Sequence, residues 1–374
     1  MLRRILPPLV IGLLALAGFQ SRIRHEMVDF GVYRQAAVRA ERAEPLYRST
    51  DGHYQFKYLP AFAMLTLPLA MVDAEGGKVM WFALSVGALV LLVRWSARFL
   101  PERRRGLPLI IGLTLLFMLK FYVHELVLGQ ANLFFGVLVL ATVAAIQMEL
   151  PAVAGVLIGA AVCVKPYGLL FAPWLIVTQG RRAAAAFAIT FLIALAAPML
   201  LYGFGGNLTL LGDWWRTVTE STAPNLLGND NVSFAAMWAK WIGPGTAASV
   251  LAGLTSLGGV ALVAAAWRRR AGINEPEYLE AAALLLLVPL LSPQGWDYVL
   301  LLGTPAVALL IDRAPEVPRD IRIGTWIFLG IMGLVSFDLI GRAAYSQFMS
   351  WSIVTVCAVF TLLALVRVRR MGLA

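Results

Sequence analysis

AFAMLTLPLAMV, residues 61–72, is an apolar run of 12 residues with Pro60 at its head and Pro68 inside it. A helix needs about 20 residues to cross the hydrocarbon core of a bilayer, within a range of about 17–25. The run is too short to cross and reads as a re-entrant or interfacial helix that stays on one side. That reading fixes the side of everything after it. Downstream, apolar runs fall near 79–100, 107–121, 132–147, 151–163, 167–178, 183–202, 245–266, 278–291, 298–311, 321–340 and 350–366. Upstream, Ile5 to Phe19 follows Arg3 and Arg4 in the manner of a secretory signal. With so many hydrophobic segments behind it, it reads as an uncleaved signal anchor with its N-terminus in the cytoplasm. The expected fold is an all-α polytopic membrane protein, one domain over 1–374, with twelve spans and both ends inside.

Composition and charge agree with that expectation. Of 374 residues, 60% are apolar and 14% charged, with a mean hydropathy of +0.78. So much apolar surface cannot be buried in one water-soluble core. Hydrophobicity excludes disorder, and two cysteines, Cys163 and Cys357, exclude a disulfide scaffold. Both lie in apolar runs and are expected as buried thiols. The net charge of +10 would point to nucleic acid in a soluble protein. Here Lys and Arg are placed instead as flanks that orient spans, and no nucleic-acid partner is expected. With 61–72 not crossing, 18 of the 31 Lys and Arg fall inside and 13 outside, eight of the latter between Arg22 and Lys78. Making 61–72 a span would put Arg103–Arg105 and Arg268–Arg270 outside, against the positive-inside rule.

Two outer loops, 21–60 and 203–244, hold most of the polar chemistry. Runs 151–163 and 278–291 are short, so the turns at Lys165-Pro166-Tyr167 and Ser292 to Asp297 are expected to dip into a protein-lined cavity open to the outer face. Asp29 and Tyr33 are four apart on one helical face. A carboxylate at Asp29 suits a general base on a sugar hydroxyl, but it also sits where an N-cap belongs, and on the residues alone the cap is the stronger reading. Basic residues of the same loop, Arg34 among them, suit a lipid phosphate or a solvated face beside Glu26, Glu41 and Glu44. Lys57-Tyr58 opens the re-entrant segment. His124-Glu125 and Gln130-Ala131-Asn132 place polar groups between two spans, Asn132 where an N-cap belongs. His25, His53 and His124 all fall outside, but without metal-ligand spacing, so no metal is expected. Lys165 either snorkels to the surface or binds a phosphate from within the cavity. Asp213-Trp214-Trp215-Arg216, Asn229-Asp230-Asn231 and Trp296-Asp297-Tyr298 set aromatics near acids, as interface belts or as faces for a sugar. No Ser/His/Asp triad, phosphate loop or dinucleotide glycine pattern is evident.

Eight stretches in one order complete the reading: DFGVYRQAA at 29–37, PLY at 45–47, FKYLPAFAMLTLPLA at 56–70, GQAN at 129–132, VKPYGLLFAPW at 164–174, DWWRTV at 213–218, NDNVSFAAMWAKW at 229–241 and LSPQGWDYVLLL at 291–302. In these the chain resembles the polyprenol-phosphate-mannose-dependent α-mannosyltransferases of the GT-C fold. The resemblance implies Asp29 as catalytic base in an inverting transfer from a polyprenyl-phosphate sugar. The acceptor would be a glycolipid or glycan hydroxyl at the outer face of the cell membrane, with no cofactor. On this reading Lys57, Lys165, Arg34 and Arg342 bind the donor phosphate. Tyr33, Tyr58, Glu125, Gln130, Asn132, Tyr167, Asn231, Trp296, Asp297 and Tyr298 are the expected substrate contacts. Tyr298 stands where the family often has histidine, and the loop 203–232 also lacks one, which leaves the sugar open between mannose and relatives such as arabinose. The competing class is a transporter or flippase of lipid-linked sugars. Transporters tend to show internal repeats, and this chain shows none, with its chemistry gathered on one face.

Overall fold

A computed structural model describes residues 17–268 and 270–372. Most of the run from Ile5 to Phe19, and the expected signal anchor with it, lies outside the described residues. The described chain is helical, and its β-type pairing is a single antiparallel bridge between Asn231 and Trp296. Helix α1 spans Val28–Glu41, α2 Pro60–Leu65, α3 Ala74–Arg98, α4 Leu107–Leu128, α5 Asn132–Gln147 and α6 Pro151–Val164. After a 3-10 turn at Pro166–Phe171 come α7 Ala172–Ala196, α8 Met199–Glu220, α9 Phe234–Ile242 and α10 Thr246–Trp267. The chain closes with α11 Glu277–Leu291, a 3-10 turn at Asp297–Gly303, α12 Thr304–Arg313, α13 Arg319–Leu334, α14 Arg342–Ser350 and α15 Ile353–Arg370.

This is a membrane protein. Among the described residues four helical stretches are long and apolar enough, by length and composition, to cross a bilayer: α3, α4, α10 and Pro166–Ala196, the last of them broken at Gly180. The pair α14 and α15, bent by 56°, makes a fifth if it forms one span. The expected twelve runs exceed that number for physical reasons visible in the packing. Runs 132–147 and 151–163 form helices of 16 and 14 residues. Residues 277–290 and 297–313 are all buried at the centre of the bundle. A segment walled by protein on every side does not need a full bilayer length of helix. The stretch 172–196 is broken at Gly180, whose φ of +73° suits glycine. Beyond it, a Cβ at Gly155 would meet the Ala183 carbonyl and one at Gly159 would meet Thr190. Segment 181–196 therefore packs tightly along α6 and in its direction.

The segment 61–72 is not one continuous helix. Helix α2 ends at Leu65 and a 3-10 turn follows at Leu67–Leu69, because Pro68 has no N–H with which to continue α2. Asp73 then caps α3, accepting from the backbone N–H groups of Glu75 and Gly76.

The two ends of the bundle differ in kind. At one end the arginine-bearing turns interlock. Asp312 Oδ1 accepts from the backbone N–H of Arg104 at 2.9 Å and of Arg105 at 2.8 Å, and Arg313 donates to the Pro101 carbonyl. Glu280, in the first turn of α11, pairs with Arg270 at 3.0 Å and Arg369 at 3.1 Å, and accepts from Trp174 Nε1 at 2.8 Å. The other end, where α4 and α11 finish and α3 begins, surrounds a cavity. The 22 residues of α4 separate the two ends by about 33 Å.

Candidate active site

The cavity holds about 710 Å³ and is lined from α1, the 53–58 turn, the ends of α4, α8 and α11, the 165–170 turn, and the segments 222–230 and 292–298. Asp29 stands in its wall, in the first turn of α1. Met27 (φ −30°, ψ 57°) is the N-cap, and no side chain caps this helix. The capping reading of Asp29 therefore fails: the carboxylate holds no backbone N–H and is turned to the cavity. Burial pushes its pKa up from the ordinary value, against the pull of Lys165, Gln130, Lys57 and His53. Burial also pushes the Lys57 ammonium down, with Asp29 acting against it.

Beside Asp29 the site is organised around one amide. Helix α4 ends at Gly129 in the left-handed region, φ +70°, and the next residue, Gln130, is thereby turned inward. Gln130 Oε1 accepts from Tyr33 Oη at 3.0 Å, Tyr58 Oη at 3.1 Å and Lys165 Nζ at 3.1 Å. Its Nε2 donates to Tyr298 Oη at 3.1 Å. Lys165 also donates to Tyr58 Oη at 2.6 Å, and its ammonium lies 4.5 Å from the centre of that ring. Extended backbone at Lys165 (φ −146°) between α6 and the following 3-10 turn sends the side chain inward, where the residue is only 8% exposed. It does not snorkel. Two of its three N–H donors are engaged by Tyr58 and Gln130, leaving one for a ligand in the cavity.

Lys57 fixes the outer rim. Its Nζ donates to Gln294 Oε1 at 3.2 Å, and Gln294 Nε2 donates to Ser221 Oγ at 3.1 Å and Thr222 Oγ1 at 3.2 Å. Its carbonyl accepts from Trp214 Nε1 at 3.2 Å. The polar segments 21–60 and 203–244 are thus joined at one lysine. The cavity is also lined by Asp230, Trp296 and His124. Burial and the neighbouring Asp297 raise the Asp230 carboxyl, while His124, Lys240 and Lys120 oppose the shift.

Residues 56–293, more than half of the chain, match the profile of glycosyltransferase family 87. The chain belongs to that family. No curated protein matches it. The matched segment includes Lys57, Tyr58, Gln130, Lys165 and Asp230, and stops short of Asp29 on one side and Tyr298 on the other.

Within this glycosyltransferase the cavity gathers Asp29, Lys57, Tyr58, Gln130, Lys165, Tyr167, Trp296 and Tyr298. Other expected site residues lie elsewhere. Tyr33 is fully buried behind Tyr58, their hydroxyls 2.5 Å apart, and touches the lining residues Tyr58 and Gln130 without lining the cavity itself. Glu125 accepts from Asn132 N at 2.6 Å, Asn132 Nδ2 at 2.8 Å and Leu133 N at 3.2 Å. It caps the start of α5 from the preceding helix, Asn132 Oδ1 is buried without a partner among the described residues, and neither residue lines the cavity. Asn231 is 1% exposed; its Nδ2 donates to the Pro293 and Asn225 carbonyls and its Oδ1 accepts from Ser233 N, which pins two loops together. Asp297 sits behind His124, 3.1 Å from its Nδ1. Arg34 donates to the Val72 carbonyl, and Arg342 is exposed with its guanidinium over Phe337. Neither arginine lines the cavity. The glycosyltransferase adds Gln294 and Thr222, to which the sequence assigned no role. Gln294 lies in the SPQGW turn, and its place there is the signal that pointed to it. His53, His124, Trp214 and Asp230 carried only generic aromatic, acid or metal readings.

Proposed function

We propose that this glycosyltransferase moves a sugar, mannose or a relative such as arabinose, from polyprenyl phosphate to a hydroxyl of a glycolipid or glycan, with inversion. The observation that carries the reading is one carboxylate, Asp29, beside two ammonium groups, Lys57 and Lys165, in one cavity. Asp29 takes the proton of the acceptor hydroxyl as that oxygen forms its bond to the anomeric carbon. The anomeric C–O bond breaks, and its electron pair leaves on the lipid phosphate. Lys57 and the free donor of Lys165 face the charge that grows there. A single displacement inverts the anomeric centre. Phosphate is already a good leaving group, so orientation and one proton transfer are what the protein must supply, and no metal or cofactor is called for. Tyr58, Tyr167, Trp296 and Tyr298 form the walls against which the sugars lie.

The twelve-span GT-C arrangement and an outward-facing cavity belong to the same proposal. Support comes from the arginine-bearing turns, which collect at the end of the bundle remote from the cavity, as the positive-inside rule asks of a cytoplasmic end. The test is transfer from radiolabelled polyprenyl-phosphate mannose, and separately arabinose, by membranes carrying the wild type or Asp29→Asn. Label moving to a lipid or glycan acceptor in the wild type alone is the expected result. Label crossing the membrane still attached to its polyprenyl carrier, with no transfer, would overturn the reading in favour of a flippase.

A further inference from the structure

Part of the cavity wall is built from the antiparallel bridge, next to the turn whose Gln294 accepts from Lys57. Val232 N donates to the Gly295 carbonyl at 2.7 Å and Asp297 N to the Asp230 carbonyl at 2.8 Å, around the Asn231–Trp296 pair. One short β-type frame therefore mounts Asp230 and Trp296 on the cavity and Asp297 just behind. Asp297 Oδ1 lies 3.1 Å from His124 Nδ1, which leaves Nε2 as the free nitrogen of a ring that lines the cavity. Asp230 has no side-chain hydrogen bond among the described residues, although its backbone carbonyl is anchored in the bridge. The nearby cations do not neutralise this wall from within the cavity. Lys240 Nζ donates to the carbonyls of Asn229 and Asn231, Lys120 Nζ donates to that of Val335, and neither lysine lines the cavity.

A free carboxylate, an oriented imidazole and an indole face on a rigid mount are the means of holding a neutral ring with adjacent hydroxyls. Two carboxylates on this wall disfavour a phosphate. We infer that the bridge-mounted wall is a saccharide subsite for the acceptor. Asp230 accepts from a pair of neighbouring hydroxyls, His124 Nε2 meets a third, and Trp296 covers the C–H face of the ring. The assignment to the acceptor rests on the proposed function, which places the donor phosphate at Lys57 and Lys165. His124 and Asp230 are then specificity-determining residues.

The test uses the full chain in lipid nanodiscs and saturation-transfer NMR with the methyl glycosides of mannose, glucose, galactose and arabinose. Geranylgeranyl phosphate reports on the donor side. Wild type is expected to bind at least one glycoside. Asp230→Asn should fold normally, since only its backbone is anchored, and should weaken that binding by about ten- to a hundredfold, the effect of losing hydrogen bonds to a charged group. His124→Gln should weaken it and alter which glycoside is preferred. Geranylgeranyl phosphate should bind these two variants and wild type alike, and bind Lys165→Gln less well. No response of the wild type to any of the four glycosides overturns the subsite. So does unchanged glycoside binding in both Asp230→Asn and His124→Gln, or loss of geranylgeranyl phosphate binding in Asp230→Asn. Failure of the catalytic reading shows separately, as transfer that survives in Asp29→Asn.

Discussion

Asp29 has to release its proton before it can accept one from the acceptor, so its affinity for that proton sets the acid limit of the reaction. Burial raises that affinity. Turnover should rise with pH along a limb lying above the ordinary aspartate value of about 3.9, and a pH–rate profile at saturating donor reads it directly. The same shift has a sign in stability. A carboxyl whose folded pKa is raised stabilises the fold below its unfolded pKa and loses that contribution as pH rises through the folded one. Asp29→Asn should therefore be at least as stable as wild type near neutral pH while losing about 10²–10⁴-fold in turnover; thermal unfolding and transfer measured on one preparation separate the two effects. Lys165 gives the second residue-scale prediction. Lys165→Gln removes the free ammonium donor and should raise the donor KM. Lys165→Arg should fail in part, because a planar guanidinium cannot make the bonds to Tyr58 Oη and Gln130 Oε1 with the reach of a compact ammonium. Equal donor KM in wild type and Lys165→Gln would remove the lysine from phosphate binding.

Helix ends, more than helix faces, decide where the chemistry goes. Gly129 closes α4 at φ +70°, its carbonyl accepts from Trp81 Nε1 at 2.8 Å, and a Cβ there would stand 3.0 Å from Phe30 Cβ and 3.2 Å from the Met27 methyl. Gly129→Ala meets left-handed strain of about 1–2 kcal/mol as well as those contacts. It should lower the melting temperature and turn Gln130 away from its four partners, so activity should fall further than stability alone explains. Activity lost only in proportion to folded protein would show that the turn merely holds the helix. Such ends also explain how much could be read from sequence. The long apolar runs and the Lys165 turn were legible because hydrophobic length and an isolated charge are local signals, whereas Asp29 in its charged loop read as a base or a cap until the family resemblance singled it out. Asn132 and Glu125 were misassigned because a carboxylate seven residues upstream, on the previous helix, caps α5. Nothing in the local pattern separates that from a ligand contact. Arg342 was placed in the site by charge alone, and the fold carries it to an exposed helix start.

For the molecule as a whole, sidedness is the property most open to a direct check. Native Cys163 and Cys357 are buried, so single cysteines can be placed on a quiet background. Ser49→Cys, exposed in the turn that carries His53 to the cavity, and Arg103→Cys, exposed among the arginine-bearing turns, report the two ends. An impermeant maleimide added to intact cells should label position 49 and leave position 103 unlabelled; the opposite pattern would invert the protein. The amide hub has a consequence in time as well as in space. Tyr298 lies 168 residues beyond Gln130, and at synthesis rates of about 5–20 residues per second it emerges roughly 8–34 s later. During that interval Lys165 already sits among the early helices, while the partner that completes the hub and the wall carrying Trp296 do not yet exist. A chain released before α11 therefore leaves a buried cation facing an unfinished wall, and membrane quality control meets that charge before any substrate does.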